Sequence, residues 1–343
     1  MNKRVTIYTI AEKLGVSSTT VYRALNNKPM VHADTRKAIL KMAERLSFKP
    51  NTIARGLARK VIRIAVLLYT NFPEFHSRII DGVKETAQEL KDYNVTVDYF
   101  VYNKGDTESE EGRRSLSGAV SKIAKGKYSG LLATGIDVNE YEILKKNGIP
   151  LAFIVTDNNV ERRFCIRYNG FVAGMMAGEL FYWRLGAKAK VAVASGFEHV
   201  EIHSEILRGF KEQMTITPLN LAAVMYNEDK EKLAYTNTNK LLKEHPDIKG
   251  IYVNSYNSKG VIRAITAQGL AGKICLITSD INSEIRRCLE QGIVMATIFQ
   301  NQYRQGRLGL RYLYQSISEN EPVDDTVLIN PEIIFRSNLS LYG

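Results

Sequence analysis

From residue 62 onward, short apolar runs alternate with amphipathic segments. Runs rich in Ile, Val, Leu and Ala predict strands at residues 62–69, 95–102, 130–135, 151–155, 190–194, 250–253, 274–278 and 294–299. Helical spacing of apolar positions predicts intervening helices at 77–91, 111–125, 140–147, 170–185, 204–213, 231–244, 258–268, 283–291 and 303–318. Continuous apolar strands separated by helices indicate parallel sheets covered on both faces. Because residues 62–343 are too many for one core, two α/β lobes are predicted.

The first 50 residues have a different pattern, which predicts three short helices. Thr9 and Glu12 fit a capping box, so the first helix is predicted to begin near Thr9. Gly15 permits a tight turn, and Ser17 can cap a second helix. Two short helices joined by such a turn form a helix-turn-helix, whose second helix enters the major groove of DNA. The predicted buried positions of the second helix and of a third helix at 33–46 are Val21, Ala24, Leu25, Ile39, Leu40, Ala43 and Leu46.

The charge distribution favours a DNA-binding head. Residues 1–60 hold 13 of the 47 Lys and Arg residues but only three of the 36 acidic residues, so they carry +10 of the total formal charge of +11. A basic segment on a nearly neutral chain is typical of a nucleic-acid-binding module, although charge alone fits a solvated basic surface equally well. The second helix leaves Ser18, Thr19, Tyr22 and Arg23 facing outward. Hydroxyls suit phosphates or base edges, and a guanidinium suits guanine.

These residues closely resemble the head of the lac-repressor (LacI-type) family of transcription regulators. The resemblance is carried by residues 6–11, 15–17, 20–26, 35–36 and 49–57. It implies that Ser18, Thr19 and Arg23 read bases. The further DNA-contacting positions that it implies are Thr6, Tyr8, Ser17, Thr20, Tyr22, Asn26, Asn51, Ala54 and Leu57.

Residues 51–61 are predicted to link a head of residues 1–50 to an effector-binding domain of residues 62–343. Asn51 can cap a short helix here, but about eight residues do not form a stable helix alone, and Gly56 weakens it further. Propensity alone therefore favours a flexible linker. In the resembled family the segment becomes helical on DNA, where Leu57 would be an apolar wedge in the minor groove and Ala54 would lie against the second copy.

The remainder is similar to the family's effector domain and to type I periplasmic sugar-binding proteins. That resemblance implies a lobe next to DNA made of residues 62–157 and 293–322, and a distal lobe made of residues 158–292 and 323–343. The chain would cross between the lobes near Asp157, Gly292 and Pro322. The expected fold class is therefore α/β: an all-α helix-turn-helix head followed by a two-lobed type I periplasmic-binding-protein-like domain of parallel sheets.

Polar residues after the predicted strands are the candidate ligand contacts, because open parallel sheets bind ligands at the carboxyl ends of their strands. Asn254 and Asp280 follow two strands and match family positions that hold sugar hydroxyls. The remaining candidates are Phe75, Arg78, Asp137, Asp157, His203, Glu205 and Gln300. Ile206 departs from the resembled pattern, since many sugar-binding members have an Arg there. The resemblance thus implies a sugar or polyol and leaves its identity open.

Other function classes fit less well. His199 and His203 are four residues apart, but Val200 stands where a zinc-protease motif needs Glu, so no metal or cofactor is predicted. The three Cys residues have no paired spacing, which suits a reducing cytoplasm. No signal peptide is expected, and no apolar run reaches the roughly 18 residues of a membrane span. A sugar-binding receptor and a DNA-acting enzyme are the alternatives.

The sequence therefore predicts a cytoplasmic transcription regulator, a repressor and not an enzyme. It would bind a pseudo-palindromic operator in double-stranded DNA as a homodimer, since two-fold protein symmetry requires matching operator symmetry. A sugar or polyol in the cleft between the lobes would control that binding. The sequence leaves open whether the ligand releases or promotes DNA binding, and whether a phosphocarrier protein replaces it.

Overall fold

The computed structural model describes residues 5–25, 29–46, 48, 61–69, 72–102, 110–158, 160–319 and 322–342. The chain divides into two compact units. The first comprises Met1–Ile62 with Glu89–Thr96, and the second comprises Arg63–Gln88 with Val97–Gly343.

Three helices form the head: α1 (Ile7–Leu14), α2 (Ser18–Leu25) and α3 (Ala33–Arg45). Helix α1 begins one turn earlier than predicted, because Thr6 is its N-cap. The Thr6 N–H donates to Thr9 Oγ1 (3.2 Å), and the Thr9 N–H donates to Thr6 Oγ1 (3.3 Å). Thr9 is therefore the N3 residue of the capping box and not its N-cap. Gly15 ends α1 at φ 62°, and Ser17 Oγ accepts the Thr20 N–H (3.0 Å), as a cap of α2 does.

The head has its own hydrophobic core. Its buried side chains are Ile10, Ala11, Val21, Ala24, Ile39 and Ala43. Leu40 was expected among them but is 48% exposed. It lies about 100° around α3 from Ile39, outside the face that Ile39 and Ala43 share. The Arg36 guanidinium joins α3 to α2 by donating to the Ala24 carbonyl (3.1 Å).

Parallel strands and helices make up the rest of the described chain. The strands are β1 (Ile62–Tyr69), β2 (Val95–Tyr102), β3 (Gly130–Ala133), β4 (Leu151–Ile154), β5 (Cys165–Tyr168), β6 (Lys190–Ser195), β7 (Asn220–Tyr226), β8 (Gly250–Val253), β9 (Cys275–Ser279), β10 (Ala296–Phe299), β11 (Thr326–Ile329) and β12 (Glu332–Ile334). The helices are α4 (Pro73–Glu89), α5 (Glu110–Lys125), α6 (Val138–Lys146), α7 (Gly170–Leu185), α8 (Glu201–Ile216), α9 (Glu231–Glu244), α10 (Lys259–Ala267), α11 (Ser283–Glu290) and α12 (Gln302–Ser318). Short 3₁₀ turns lie at Lys91–Tyr93 and Arg336–Leu341.

These elements build two lobes, each on one six-stranded sheet. The sheet of the first lobe has the order β2-β1-β3-β4-β5-β11, and that of the second has the order β7-β6-β8-β9-β10-β12. The neighbours β1–β3, β6–β8 and β8–β9 are parallel, whereas β12 runs antiparallel to β10. Each sheet has a separate buried core beneath its helices. The predicted fold class, an all-α head followed by two α/β lobes, is confirmed.

The chain passes between the lobes at other positions than expected. Strands β5 and β11 pair with each other in the first sheet, whereas β10 pairs with β9 in the second. The three crossings therefore lie at Asn169, at residues 300–301 and at residues 330–331, downstream of the predicted crossings near Asp157, Gly292 and Pro322. The first and third crossings moved because β5 and β11 were not predicted, and the second moved because β10 joins the second sheet instead of the first. Strand β7 also went unpredicted.

Glycines bring pairs of helices into backbone contact within each lobe. A Cβ on Gly174 of α7 would lie 1.9 Å from the Ile206 carbonyl oxygen of α8. In the first lobe, a Cβ on Gly82 of α4 would lie 2.0 Å from the carbonyl oxygen of Tyr303 in α12. These distances leave no room for any side chain, so the helix pairs are held at a fixed separation. Ile206 is accordingly buried between helices.

Within the described residues, no helix combines the length and the apolar character needed to cross a bilayer.

Candidate functional site

The exposed face of α2 carries the predicted base-reading groups. Thr19 and Arg23 are exposed, and Ser18 is half-buried. Val21 and Ala24 anchor the opposite face of the helix in the head core. A rigid helix thus presents hydroxyls and a guanidinium outward, which is the arrangement that recognises base edges and phosphates.

Other predicted DNA contacts lie around this face or outside the described residues. Tyr22 is 44% exposed and Tyr8 is 69% exposed, so both aromatic rings are accessible. Thr6, Ser17 and Thr20 serve the caps of α1 and α2. Asn26, Asn51, Ala54 and Leu57 lie outside the described residues, as does most of the predicted linker.

Asp280 lies at the carboxyl end of β9, as predicted, but its carboxylate is bound by the second crossing segment. Oδ1 accepts from the Gln300 N–H (3.2 Å) and from Gln302 Nε2 (2.7 Å), and Oδ2 accepts from Gln300 Nε2 (2.5 Å). Asp280 is buried with φ 63°, and burial raises the pKa of its carboxyl to about 6 against these hydrogen bonds. The positive charge of Arg78, in the first lobe, also acts on this carboxyl and favours its ionised form. Asp280, Gln300 and Arg78 are thus brought together.

An aromatic and polar contact joins the lobes beside Arg78. The ring of Tyr256, which follows β8, lies 5.5 Å from Phe75 and 5.0 Å from Phe72. Glu74 at the start of α4 accepts from the Ser283 N–H (2.8 Å) and from Ser283 Oγ (2.9 Å), so a carboxylate of the first lobe caps α11 of the second. Sequence reasoning missed Glu74 and Tyr256.

A second group of polar residues surrounds Asn254. Asn254 Nδ2 donates to the His203 carbonyl (3.3 Å), and His203 Nδ1 accepts the Phe197 N–H (3.0 Å). Burial lowers the pKa of His203, against the opposing charge of Asp229. Asn254 Oδ1 and Asp229 Oδ1 are buried and have no hydrogen-bond partner among the described residues. A buried acceptor without a donor is costly, which makes such atoms candidate ligand contacts.

Three other predicted ligand residues do not join these groups through the contacts that the structure shows. Asp137 is exposed before α6, and its side chain makes no cap hydrogen bond. Asp157 is bound by Arg162 through Nε (2.6 Å) and Nη2 (2.5 Å). Glu205 forms an ion pair with Arg167 of β5, which links the two lobes. A cavity of about 550 Å³ adjoins Arg162, but neither Asn254 nor Asp280 lines it.

Asp229 is the cleft residue that sequence reasoning missed most clearly. It follows β7, and the rule that assigned Asn254 and Asp280 would have found it had β7 been predicted. Tyr69 at the end of β1 escaped notice for another reason, since it reads as part of an apolar strand.

In the described part of the chain, no group of three or more His, Cys, Asp or Glu side chains is arranged to hold a metal ion. His199 packs against Phe197 at 5.5 Å. Cys165 and Cys288 are buried, and burial raises the pKa of both thiols.

Two protein families match the chain. The family described as bacterial regulatory proteins, lacI family, matches residues 6–51, and the periplasmic binding protein domain matches residues 64–321.

Individual relatives cover both regions. Catabolite control protein A of Priestia megaterium is 24% identical, over 97% of this chain and 99% of its own length. The probable HTH-type transcriptional repressor ExuR of Bacillus subtilis (strain 168) is 32% identical over 45% of this chain and 44% of its own. Among solved structures, the glucose-galactose binding protein GanP of Geobacillus stearothermophilus has a TM-score of 0.71 at 21% identity, covering 82% of this chain and 99% of its own.

Proposed function

Because the chain belongs to the lacI family of bacterial regulatory proteins and carries a periplasmic binding protein domain, we propose that it is a ligand-controlled repressor. It binds a pseudo-palindromic operator as a homodimer, and a sugar or polyol in the cleft between its lobes controls that binding. The family is one of transcription regulators and not of enzymes. We place this activity in the cytoplasm, where the DNA is.

The exposed face of α2 carries the DNA-binding part of the proposal. Thr19, Tyr22 and Arg23 project from a helix whose other side is fixed in the head core. One head reads only a few base pairs, so specific binding requires two heads on two half-sites. The similarity to ExuR, a probable transcriptional repressor, favours repression over activation.

The buried polar groups at the strand ends carry the ligand part. Asn254 and Asp229 offer unpartnered acceptors, and Asp280, which follows the strand next to that of Asn254, accepts hydrogen bonds from the crossing segment. Several hydroxyls of one small molecule can satisfy such acceptors together. The similarity to GanP, a glucose-galactose binding protein, favours the same ligand class.

Fluorescence anisotropy of the full chain on the DNA upstream of its own gene tests the proposal. The same titration on a scrambled duplex, at two salt concentrations, separates specific from electrostatic binding. We expect preference for the upstream DNA and a shift of about 5- to 150-fold when one compound from a panel of sugars and polyols is added. Equal binding to both duplexes with every compound would contradict an operator-specific, ligand-controlled regulator.

A further inference from the structure

Five residues form a continuous polar corner of the cleft, which we name the acceptor corner: Tyr69, His76, His203, Asp229 and Asn254. The Tyr69 and His76 rings of the first lobe lie 4.4 Å apart at 71°. In the second lobe, Asn254 donates to the His203 carbonyl. Asp229 lies near both pairs, since its charge acts on the hydroxyl of Tyr69 and on the ring of His203. The corner therefore takes residues from both lobes.

The unpartnered atoms of the acceptor corner are hydrogen-bond acceptors. His76 Nδ1 lies 2.7 Å from the Phe72 carbonyl, which can only accept, so Nδ1 carries the proton. Burial lowers the pKa of His76 to about 4, so the ring is neutral near pH 7 and Nε2 has a free lone pair. Asn254 is oriented by its bond to His203, so its free atom is the carbonyl Oδ1.

These acceptors are deeply placed. His76 is 4% exposed and Asn254 is 2% exposed, and neither His76 Nε2, Asn254 Oδ1 nor Asp229 Oδ1 has a donor among the described residues. A ligand that fills the corner and leaves these three acceptors without donors is penalised by about 1–3 kcal/mol for each acceptor, whereas a ligand that supplies donors avoids this penalty.

We infer that the acceptor corner selects a ligand group made of hydrogen-bond donors, a pair of hydroxyls or an ammonium, and rejects a carboxylate or phosphate. The inference rests on the proposed function, since it concerns the same cleft. A carboxylate or doubly ionised phosphate has no donor to offer and would meet the charge of Asp229 as well as three lone pairs.

Two cations lie near the cleft but outside the acceptor corner. Arg167 is paired with Glu205, and Arg78 acts on the carboxyl of Asp280, which follows the strand next to that of Asn254. The ligand group that enters the acceptor corner is therefore neutral or cationic, as in a neutral or amino sugar, and a phosphate or carboxylate is disfavoured there.

Isothermal titration calorimetry of the full chain tests the selection with matched sets of compounds. One set is D-glucose, D-glucosamine and D-glucose 6-phosphate, and a second is D-galactose, D-galactosamine and D-galactose 6-phosphate. In a set that binds, we expect the phosphate to be at least about 100-fold weaker than the neutral or amino member. A tighter amino member identifies the donor as an ammonium, and a tighter neutral member identifies it as hydroxyl.

The opposite outcomes are distinguishable. A phosphate that binds as tightly as its neutral sugar overturns this inference and leaves the proposed function standing. If no compound of either set and no member of the wider sugar panel binds, the result contradicts the polyol ligand of the proposed function and therefore also this inference.

The variant Asp229→Asn tests whether the acceptor corner is responsible for the discrimination against the phosphate. It replaces one carboxylate oxygen by an amide donor of nearly the same shape, so discrimination against the phosphate should fall at least about tenfold. Asp247→Asn is the matched control, because Asp247 precedes β8 at the opposite edge of the sheet, where it pairs with Lys190 (2.6 Å). It should change neither affinity nor discrimination.

A second variant keeps the test decisive if Asp229→Asn melts early. His76→Phe removes the Nε2 acceptor and keeps an aromatic ring against Tyr69, so it should weaken binding of the preferred sugar about tenfold. Unchanged discrimination in folded Asp229→Asn together with unchanged affinity in His76→Phe would overturn the role of the acceptor corner.

Discussion

The buried carboxyl of Asp280 makes the stability of the protein depend on pH in an unusual direction. Most carboxyls of folded proteins are stabilised as anions, so their proteins lose stability in acid. Burial instead raises the pKa of Asp280 from 3.8 to about 6. The folded state therefore binds this proton more tightly than the unfolded state, and between pH 4 and 6 it holds more protons at this residue.

The sign and size of the effect follow from linkage. Where the folded state binds more protons, stability falls as pH rises, so the contribution of Asp280 is present below about pH 4 and is lost as pH rises through 6. A pKa raised from 3.8 to about 6 corresponds to about 3 kcal/mol at most. The pKa of about 6 already includes the opposing effect of the hydrogen bonds from Gln300 and Gln302, which favour the anion.

The variant Asp280→Asn has no titrating group at this position, so comparison with the parent isolates the contribution of the Asp280 carboxyl to stability. Urea unfolding of the parent and the variant, followed by circular dichroism from pH 4.5 to 7.5, gives two stability curves. We expect their difference to change by about 2 kcal/mol over this range, with the parent gaining relative to the variant as pH falls. Gln300 can turn its side-chain amide over to meet the new Asn amide, so the variant should fold. Parallel curves over the whole range would refute the reasoning.

Three further substitutions test other parts of the structure. Arg23→Ala should weaken operator binding by about 1–3 kcal/mol and relax the preference for one guanine per half-site. Fluorescence anisotropy on operators with single-base changes measures both effects. Unchanged discrimination at every operator position would contradict the role assigned to Arg23. Gly174→Ala places a methyl 1.9 Å from a backbone oxygen and should lower the melting temperature markedly. Gly118→Ala is the control, because a Cβ there has nothing within 4 Å, and it should keep or raise the melting temperature. Equal melting temperatures of the two variants would contradict the close helix contact. Glu74→Ala removes the charged cap of α11 and should cost about 0.5–2 kcal/mol in urea unfolding, against little change for the exposed Glu142→Ala; similar losses in both would leave the cap without effect.

The apolar pattern predicted the two-lobed architecture because fully buried strands, such as β3 and β4, are continuously apolar and give a strong signal. It missed β5, which contains Arg167, and β11, whose side chains are half-buried or exposed apart from Ile329. Their absence displaced the first and third predicted crossings, whereas the second was displaced because β10 pairs with β9 in the second sheet. Pairings such as Cys165 with Thr326 join segments far apart in sequence, and no local pattern contains them.

Some features of the candidate site could likewise be predicted from the sequence, and others could not. The rule of strand carboxyl ends found Asn254, Asp280 and Gln300, and the structure places all three at such ends. It could not tell that Glu205 faces Arg167, because that ion pair depends on how a helix of one lobe meets a strand of the other. Nor could it tell that the Asp280 carboxylate is bound by the chain itself, which only the packing of the crossing segment decides.

The three crossings leave very few bonds about which the lobes can turn. Pro331 has a fixed φ, Asn301 is already in the left-handed region at φ 52°, and the Asn169 N–H is bonded to the Ile329 carbonyl (2.9 Å). Asn301 Nδ2 is bonded in turn to Glu332 Oε1 (3.0 Å), so neighbouring crossings are tied to one another. If each crossing bent separately, these hydrogen bonds would break, whereas a rotation shared by all three crossings keeps them. Opening of the cleft therefore has close to one degree of freedom, and a spin-label pair across it should report a single distance coordinate.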